Sequence, residues 1–225
     1  MGLFAFFTLS YIAVLILYRP APESLKAQQI GYLANIAKIK VSLLLGVLIC
    51  IVFLFTSNFS FDATDDKLQT MLGINNRFFS SGFWFVQLIT HNFVHENIIH
   101  LAGNLFMLGM TSLYERRVGA KRFLMVFLVS SLFSGLSIFL YTDIVVSVGM
   151  SGGVFGFAAA YFTDHANLSV KDWFMAIGMF IFLAVIFTLS GESKLPKDMI
   201  LNVDHIGHSM GAAGAILYCK LRPAK

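Results

Sequence analysis

Four side chains in this sequence have the types and spacing for acyl transfer. Ser151 stands in "GMSGGVFG" with glycine two residues before it and one after it, and His208 stands in "DHIGHSMGAAGA". A serine hydroxyl within reach of an imidazole is a nucleophile with its base, because the ring can take the hydroxyl proton as the oxygen attacks a carbonyl carbon. The carbonyl oxygen then becomes negative and needs donors around it. His100 and Asn104, in "HENIIHLAGN", are four apart and stack on one helix face, so both can aim N–H groups the same way. The backbone N–H of Ser151, at a helix start, is a third donor. The same stretch superficially resembles the zinc signature H-E-x-x-H. His95 and His100, however, are five apart and diverge by about 140° at ~100° per residue, so one ion cannot be gripped from one face.

Each feature also has a plainer reading. Gly152 and Gly156 form a small-xxx-small face, on which Ser151 is one more small residue that lets helices pack closely. Gly207, Gly211 and Ala215 recur every four residues and make a second smooth stripe, with His208 at its edge. His100 and Asn104 could be a buried hydrogen-bonded pair that locks helix packing. The two stripes connect the readings: two smooth helices approach closely enough for a histidine on one to reach a serine on the other.

The elements that carry these residues are membrane spans. Of the 225 residues 57% are hydrophobic and 12% charged, with 24 phenylalanines, too little polar surface for a soluble globule. Seven segments approach the ~20 apolar residues of a transmembrane helix, namely 3–20, 40–57, 97–114, 122–141, 148–164, 172–190 and 204–221. The first has no Lys or Arg before its apolar run and Arg19 after it, so it reads as a retained helix rather than a signal peptide. Phe6 breaks the myristoylation pattern. Twelve of the sixteen Lys and Arg residues fall on one side of this topology, in the 21–39 link and its edges at Arg19 and Lys40, the 115–122 turn, the fifth connection and the tail. Lys67, Arg77, Lys194 and Lys197 fall on the other. The positive-inside rule then puts the N-terminus outside and the C-terminus in the cytoplasm. The net charge of +4 follows from that topology and, split among short loops, implies no nucleic acid.

Segments three, five and seven all run from outside to inside, with His100, Ser151 and His208 each expected as the fourth or fifth residue of its span. At 1.5 Å per residue they share one stratum roughly 6–8 Å below the outer end of the apolar zone, and ionisable residues inside spans are functional candidates by default. The external 58–96 stretch is read as the longest non-helical segment, functional or partly embedded. Cys50 and Cys219 differ in depth, which argues against a disulfide. Asp204 is expected as the N-cap of the last helix rather than as a triad acid. His91 and His95, four apart, could be half a metal site, and His165 falls in an inner loop.

At these residues the sequence resembles the rhomboid family of intramembrane serine proteases. "GMSGGVFG" is similar to its G-x-S-G box, "HENIIHLAGN" to its H-x-x-x-N helix, and "GHSMGAAGA" to its A-H-x-x-G-x-x-x-G helix, with Gly207 for the usual Ala and Ala215 for the last Gly. Glu115 and Gly119 in "YERRVGAKRF" fall where the family has a Glu and a Gly. The resemblance implies an all-α polytopic membrane protein: a six-helix rhomboid-like core over 40–225, with 1–39 as an additional N-terminal transmembrane helix and cytoplasmic linker. It implies Ser151 as nucleophile, His208 as base, and His100, Asn104 and the Ser151 N–H as the oxyanion hole. Gly149, Gly152 and Gly211 are supporting residues. Phe155, where some members carry Tyr, can stack on His208 without offering a hydroxyl. Val86 stands where many members have Trp, with Trp84 near enough to substitute.

The expected function is an endopeptidase in a bacterial inner membrane that cleaves membrane-spanning proteins near the outer face, with no cofactor and no metal. The alternatives are a catalytically silent relative that binds membrane clients and a metalloenzyme using His91, His95, His100, His205 and His208. A transporter would place polar groups at the midplane instead.

Overall fold

The computed structural model describes residues 30–60, 63–77, 82–142, 145–165 and 204–224, with isolated positions at 9, 13 and between 169 and 185. Its helices are α1 (Tyr32–Lys38), α2 (Lys40–Thr56), α3 (Asp66–Leu72), α4 (Trp84–Thr90), α5 (Ile98–Val118), α6 (Ala120–Leu136), α7 (Ser151–Thr163) and α8 (His205–Leu221). A 3-10 turn, Ser137–Leu140, extends α6. Two short strands, β1 (Ile74–Asn75) and β2 (Val146–Ser147), pair antiparallel with Ile74 opposite Ser147. Apart from those isolated positions the expected spans 3–20 and 172–190 lie outside the described residues, as do Arg19, Lys26, Lys194, Lys197 and Lys225.

Several helix ends are set by single residues. The first backbone N–H groups of a helix have no partner inside it, and α2 satisfies two of them from a distance. Val41 and Ser42 donate their N–H groups to the Glu115 carboxylate at 2.9 and 2.8 Å, and the Ser42 hydroxyl adds a third bond at 2.7 Å. Glu115 is fully buried there, at the positive end of the α2 dipole. Just before this cap the chain bends by 74° between α1 and α2. The start of α5 is capped by the Asn97 side chain, which accepts from the His100 N–H at 2.8 Å. Gly119, with φ +82°, ends α5 in a left-handed conformation that only glycine takes without strain, and α6 begins at the next residue.

The fifth span begins three residues later than expected, at Ser151 rather than 148. Gly149 has φ +105°, which no helix accommodates, and its N–H donates to the His91 carbonyl at 2.8 Å. At 13 residues α7 is about 20 Å long, short of a ~30 Å hydrocarbon core. It can be short because it is enclosed: every residue from 151 to 160 is buried. Non-helical backbone such as 145–150 is tolerated at membrane depth only when protein surrounds it. By contrast, Ala120–Leu140 runs 21 residues at a mean hydropathy of 2.3 and is long enough to cross alone. Leu44, Ile51, Phe55, Leu128 and Leu132 stand exposed on α2 and α6. Apolar faces outside and capped or hydrogen-bonded polar groups within are the arrangement of an all-α membrane protein.

The 58–96 stretch contains two short helices and a strand, a difference from its reading as non-helical. Asp65 caps α3 by accepting from the Lys67 and Leu68 N–H groups. Gln87 on α4 holds the segment together, accepting from the Asn75 N–H and donating to the Met71 carbonyl at 3.0 Å.

The α2 cap yields a test. Glu115→Ala strips two buried N–H groups of a charged acceptor, and charged hydrogen bonds contribute about 1.5–3 kcal/mol each. Thermal unfolding in detergent should show a fall of at least about 3 kcal/mol in stability, with Glu115→Gln intermediate. An Ala variant as stable as the wild type would remove Glu115 from this role.

Candidate active site

Ser151 is the first residue of α7 and His208 the fourth of α8. Both are buried, and the serine Oγ lies 2.7 Å from the imidazole Nε2. The approach depends on missing side chains. A methyl group on Gly211 would run into the backbone carbonyl of Gly152, so the two helices touch main chain to main chain. On the far side of α7, methyl groups on Gly152, Gly153 and Gly156 would meet Ser134, Phe127 and Ser130 of α6. The serine helix is therefore held between two helices at glycine distance. Phe155, one turn after Ser151, stacks on the His208 ring with centroids 4.4 Å apart and planes 7° from parallel. That contact restricts the ring to the plane from which Nε2 faces Ser151.

His100 and Asn104 lie over the turn that leads into Ser151. A Cβ on Gly149 would sit 2.7 Å from both Cε1 and Nε2 of His100 and 3.8 Å from the Asn104 Nδ2. Gly149 thus serves twice here, taking a left-handed φ and leaving room for the imidazole. Asn104 is fully buried and donates from Nδ2 to the His100 carbonyl at 3.0 Å. Its Oδ1 has no hydrogen-bond partner among the described residues. The His95 ring packs edge-on against His100 at 5.2 Å.

The remaining sequence candidates fall around this centre without joining it. His91 keeps Nδ1 on the Gln87 carbonyl at 2.7 Å, and burial pushes its imidazole down to about 4, so it is neutral at pH 7. His205 is exposed, its ring 6.1 Å from that of His208. Among the described residues no three His, Cys, Asp or Glu side chains gather as metal ligands. No disulfide joins Cys50 and Cys219. Trp84 stacks on Phe85 and meets the edge of Phe139 at 5.3 Å, while Val86 points outward. Asp204 caps α8, accepting from the Gly207 N–H at 2.6 Å. Sequence reasoning missed two further bonds that Asp204 makes, to Ser137 and Tyr141. No local pattern announces partners more than sixty residues away.

Chemically, a hydroxyl on an imidazole nitrogen, with N–H donors across the turn at Gly149, can attack a carbonyl and hold the resulting oxyanion. Comparison with known proteins points the same way. The Rhomboid domain family matches residues 83–223. Rhomboid protease GluP of Bacillus subtilis (strain 168) is 29% identical over 141 residues, which is 62% of this chain and 26% of that protein. The matched region thus spans about a quarter of the relative's length.

The neutral His91 makes stability depend on pH with a definite sign. Its folded value lies below the unfolded one, so as pH falls the unfolded chain takes a proton before the folded chain can. The stabilisation is complete above about pH 6.5 and is lost between there and about pH 4, up to about 3 kcal/mol for a shift of this size. Thermal melts from pH 7.5 to 4.5 should show that contribution, and His91→Gln should make the slope shallower by about that amount. An unchanged slope in the variant would assign the acid sensitivity elsewhere.

Proposed function

This chain belongs to the rhomboid family, and from that premise we propose that it is an intramembrane serine endopeptidase whose nucleophile is Ser151 and whose base is His208. The observation that carries the reading is the 2.7 Å contact between the serine Oγ and the imidazole Nε2, made between two buried side chains. His208 takes the Ser151 proton as Oγ attacks the scissile carbonyl. His100, Asn104 and the Ser151 N–H hold the tetrahedral oxyanion. The imidazolium then protonates the leaving amine, and the peptide C–N bond breaks to leave an ester on Ser151. Water, deprotonated by His208, attacks that ester and releases the new carboxylate. The reaction calls on no cofactor or metal.

The substrates are membrane-spanning proteins, cut near the outer face, where α5, α7 and α8 begin. The architecture that fits is a six-helix catalytic core over 40–225, with the 1–39 segment supplying a further transmembrane helix and a cytoplasmic linker. On this reading the chain resides in a bacterial cytoplasmic membrane with its N-terminus outside and its C-terminus inside, an orientation that the distribution of Lys and Arg supports. A client-binding relative without activity would lack part of the Ser–His pair, and here both partners are present and in contact.

A fluorophosphonate serine probe tests the chemistry on detergent-purified protein. Ser151→Ala and His208→Ala should abolish labelling, His205→Ala should retain much of it, and Asn104→Ala should slow turnover by about 10²–10³-fold, as when one oxyanion donor is lost. Labelling that persists in Ser151→Ala would end the assignment. Orientation is tested separately: a reporter inserted in 64–72 should read as external and one fused after Lys225 as cytoplasmic. A cytoplasmic signal from 64–72 would invert the topology.

A further inference from the structure

The glycine contact between α7 and α8 brings Ser151 and His208 close, and the Phe155 ring stacked on His208 is one restraint on how far one helix slides along the other. Glycine stripes are smooth. Gly152 against Gly211 has no ridge to fit a groove, and one turn of slippage displaces a side chain by 5.4 Å. A further restraint on register stands at the outer end of α8.

Asp204 is nearly buried, and its carboxylate receives three donors from two different elements. Oδ1 accepts the Gly207 N–H at 2.6 Å and the Tyr141 hydroxyl at 2.7 Å, while Oδ2 accepts the Ser137 hydroxyl at 3.0 Å. Ser137 and Tyr141 belong to the 3-10 turn that ends α6 and the residue after it. The Asp204 carbonyl accepts the His208 N–H at 2.9 Å, so the residue that receives the α6 hydroxyls also begins the turn carrying the imidazole. Gly207 makes room for this: a methyl group there would collide with the Asp204 carboxylate. Ala, usual in the family at that place, would push the carboxylate away from its present seat. Because α6 also packs on α7 through Ser134 and Ser130, α6 becomes the common reference against which both reacting helices are aligned.

We propose that Asp204 is a positioning residue which, through Ser137 and Tyr141, locks the axial register of α8 against α6 and so holds His208 opposite Ser151. The proposal rests on the Ser151–His208 reading above. Asp204 touches neither substrate nor the reacting atoms.

The test spares the helix cap, since Asp204→Ala could fail simply by unfolding. Ser137→Ala/Tyr141→Phe removes the α6 hydroxyls and leaves the carboxylate on Gly207, and Gly207→Ala displaces the carboxylate from the other side. Each variant is labelled with a fluorophosphonate over a range of probe concentrations, separating the maximal labelling rate from the apparent affinity. The fraction labelled at saturation counts competent molecules. The expected result is about a 10-fold lower maximal rate in both variants, within the scale on which a ~1 Å misplacement costs about 10²-fold. Apparent affinity and the saturating fraction should stay unchanged. A purely structural role would lower the saturating fraction and leave the rate per competent serine intact, and that outcome overturns the proposal. So does a wild-type rate in both variants. A wild type without Ser151-dependent label overturns the proposal together with the reading beneath it.

Discussion

Two helices touching main chain to main chain is the condition on which everything else here depends. Ordinary side chains hold helix axes about 8–10 Å apart and fill the space between them. Gly211 against Gly152 removes that spacing, and the hydroxyl and the imidazole then meet at 2.7 Å with no water between them. The rest of the bundle accommodates this closeness. Ser130 and Ser134 of α6 fill the groove behind α7, Phe155 flanks the His208 ring, and Gly149 lets His100 come down over the turn.

A bundle with so polar an interior must satisfy its charges within the protein, because lipid cannot. The Asp164 carboxylate, just past the end of α7, receives Arg122 through both oxygens at 2.7 Å and the Tyr114 hydroxyl at 2.6 Å. Arg117 closes the last α7 carbonyls from the same side. These groups, like Glu115, sit at helix ends, where the dipoles of broken backbone ladders need partners. The middle of the bundle is left to Leu105, Leu108, Phe123, Phe127 and Phe157, an apolar cluster with no charge to neutralise.

The side chains that spacing singled out are those gathered around Gly149 and Ser151, because residue type and the four-residue repeat are local properties that a sequence displays directly. The start of α2 was legible for the same reason, at a sharp rise in hydropathy at residue 40. Two features were not. Hydropathy is blind to backbone handedness, so the left-handed Gly149 that delays α7 to Ser151 could not be separated from the other glycines beside it. Within 58–96, α3 and α4 are seven residues each, shorter than the window over which a helical period declares itself. The exchange at Gly207 was visible in the sequence as one small residue for another. Its meaning depends on where the Asp204 carboxylate sits, which is a fact of tertiary structure.

The cap on α2 also sets an order of assembly. Val41 and Glu115 are 74 residues apart in sequence, so when the ribosome has delivered α2 its acceptor has not yet been made. Until α5 is complete, the first amides of α2 depend on interfacial water, and that helix end must wait at the membrane surface. Burying it becomes favourable only once the carboxylate arrives. The α2 span is thus finished by α5, and the chain carries in one acidic residue the instruction that its core closes after synthesis has moved past it.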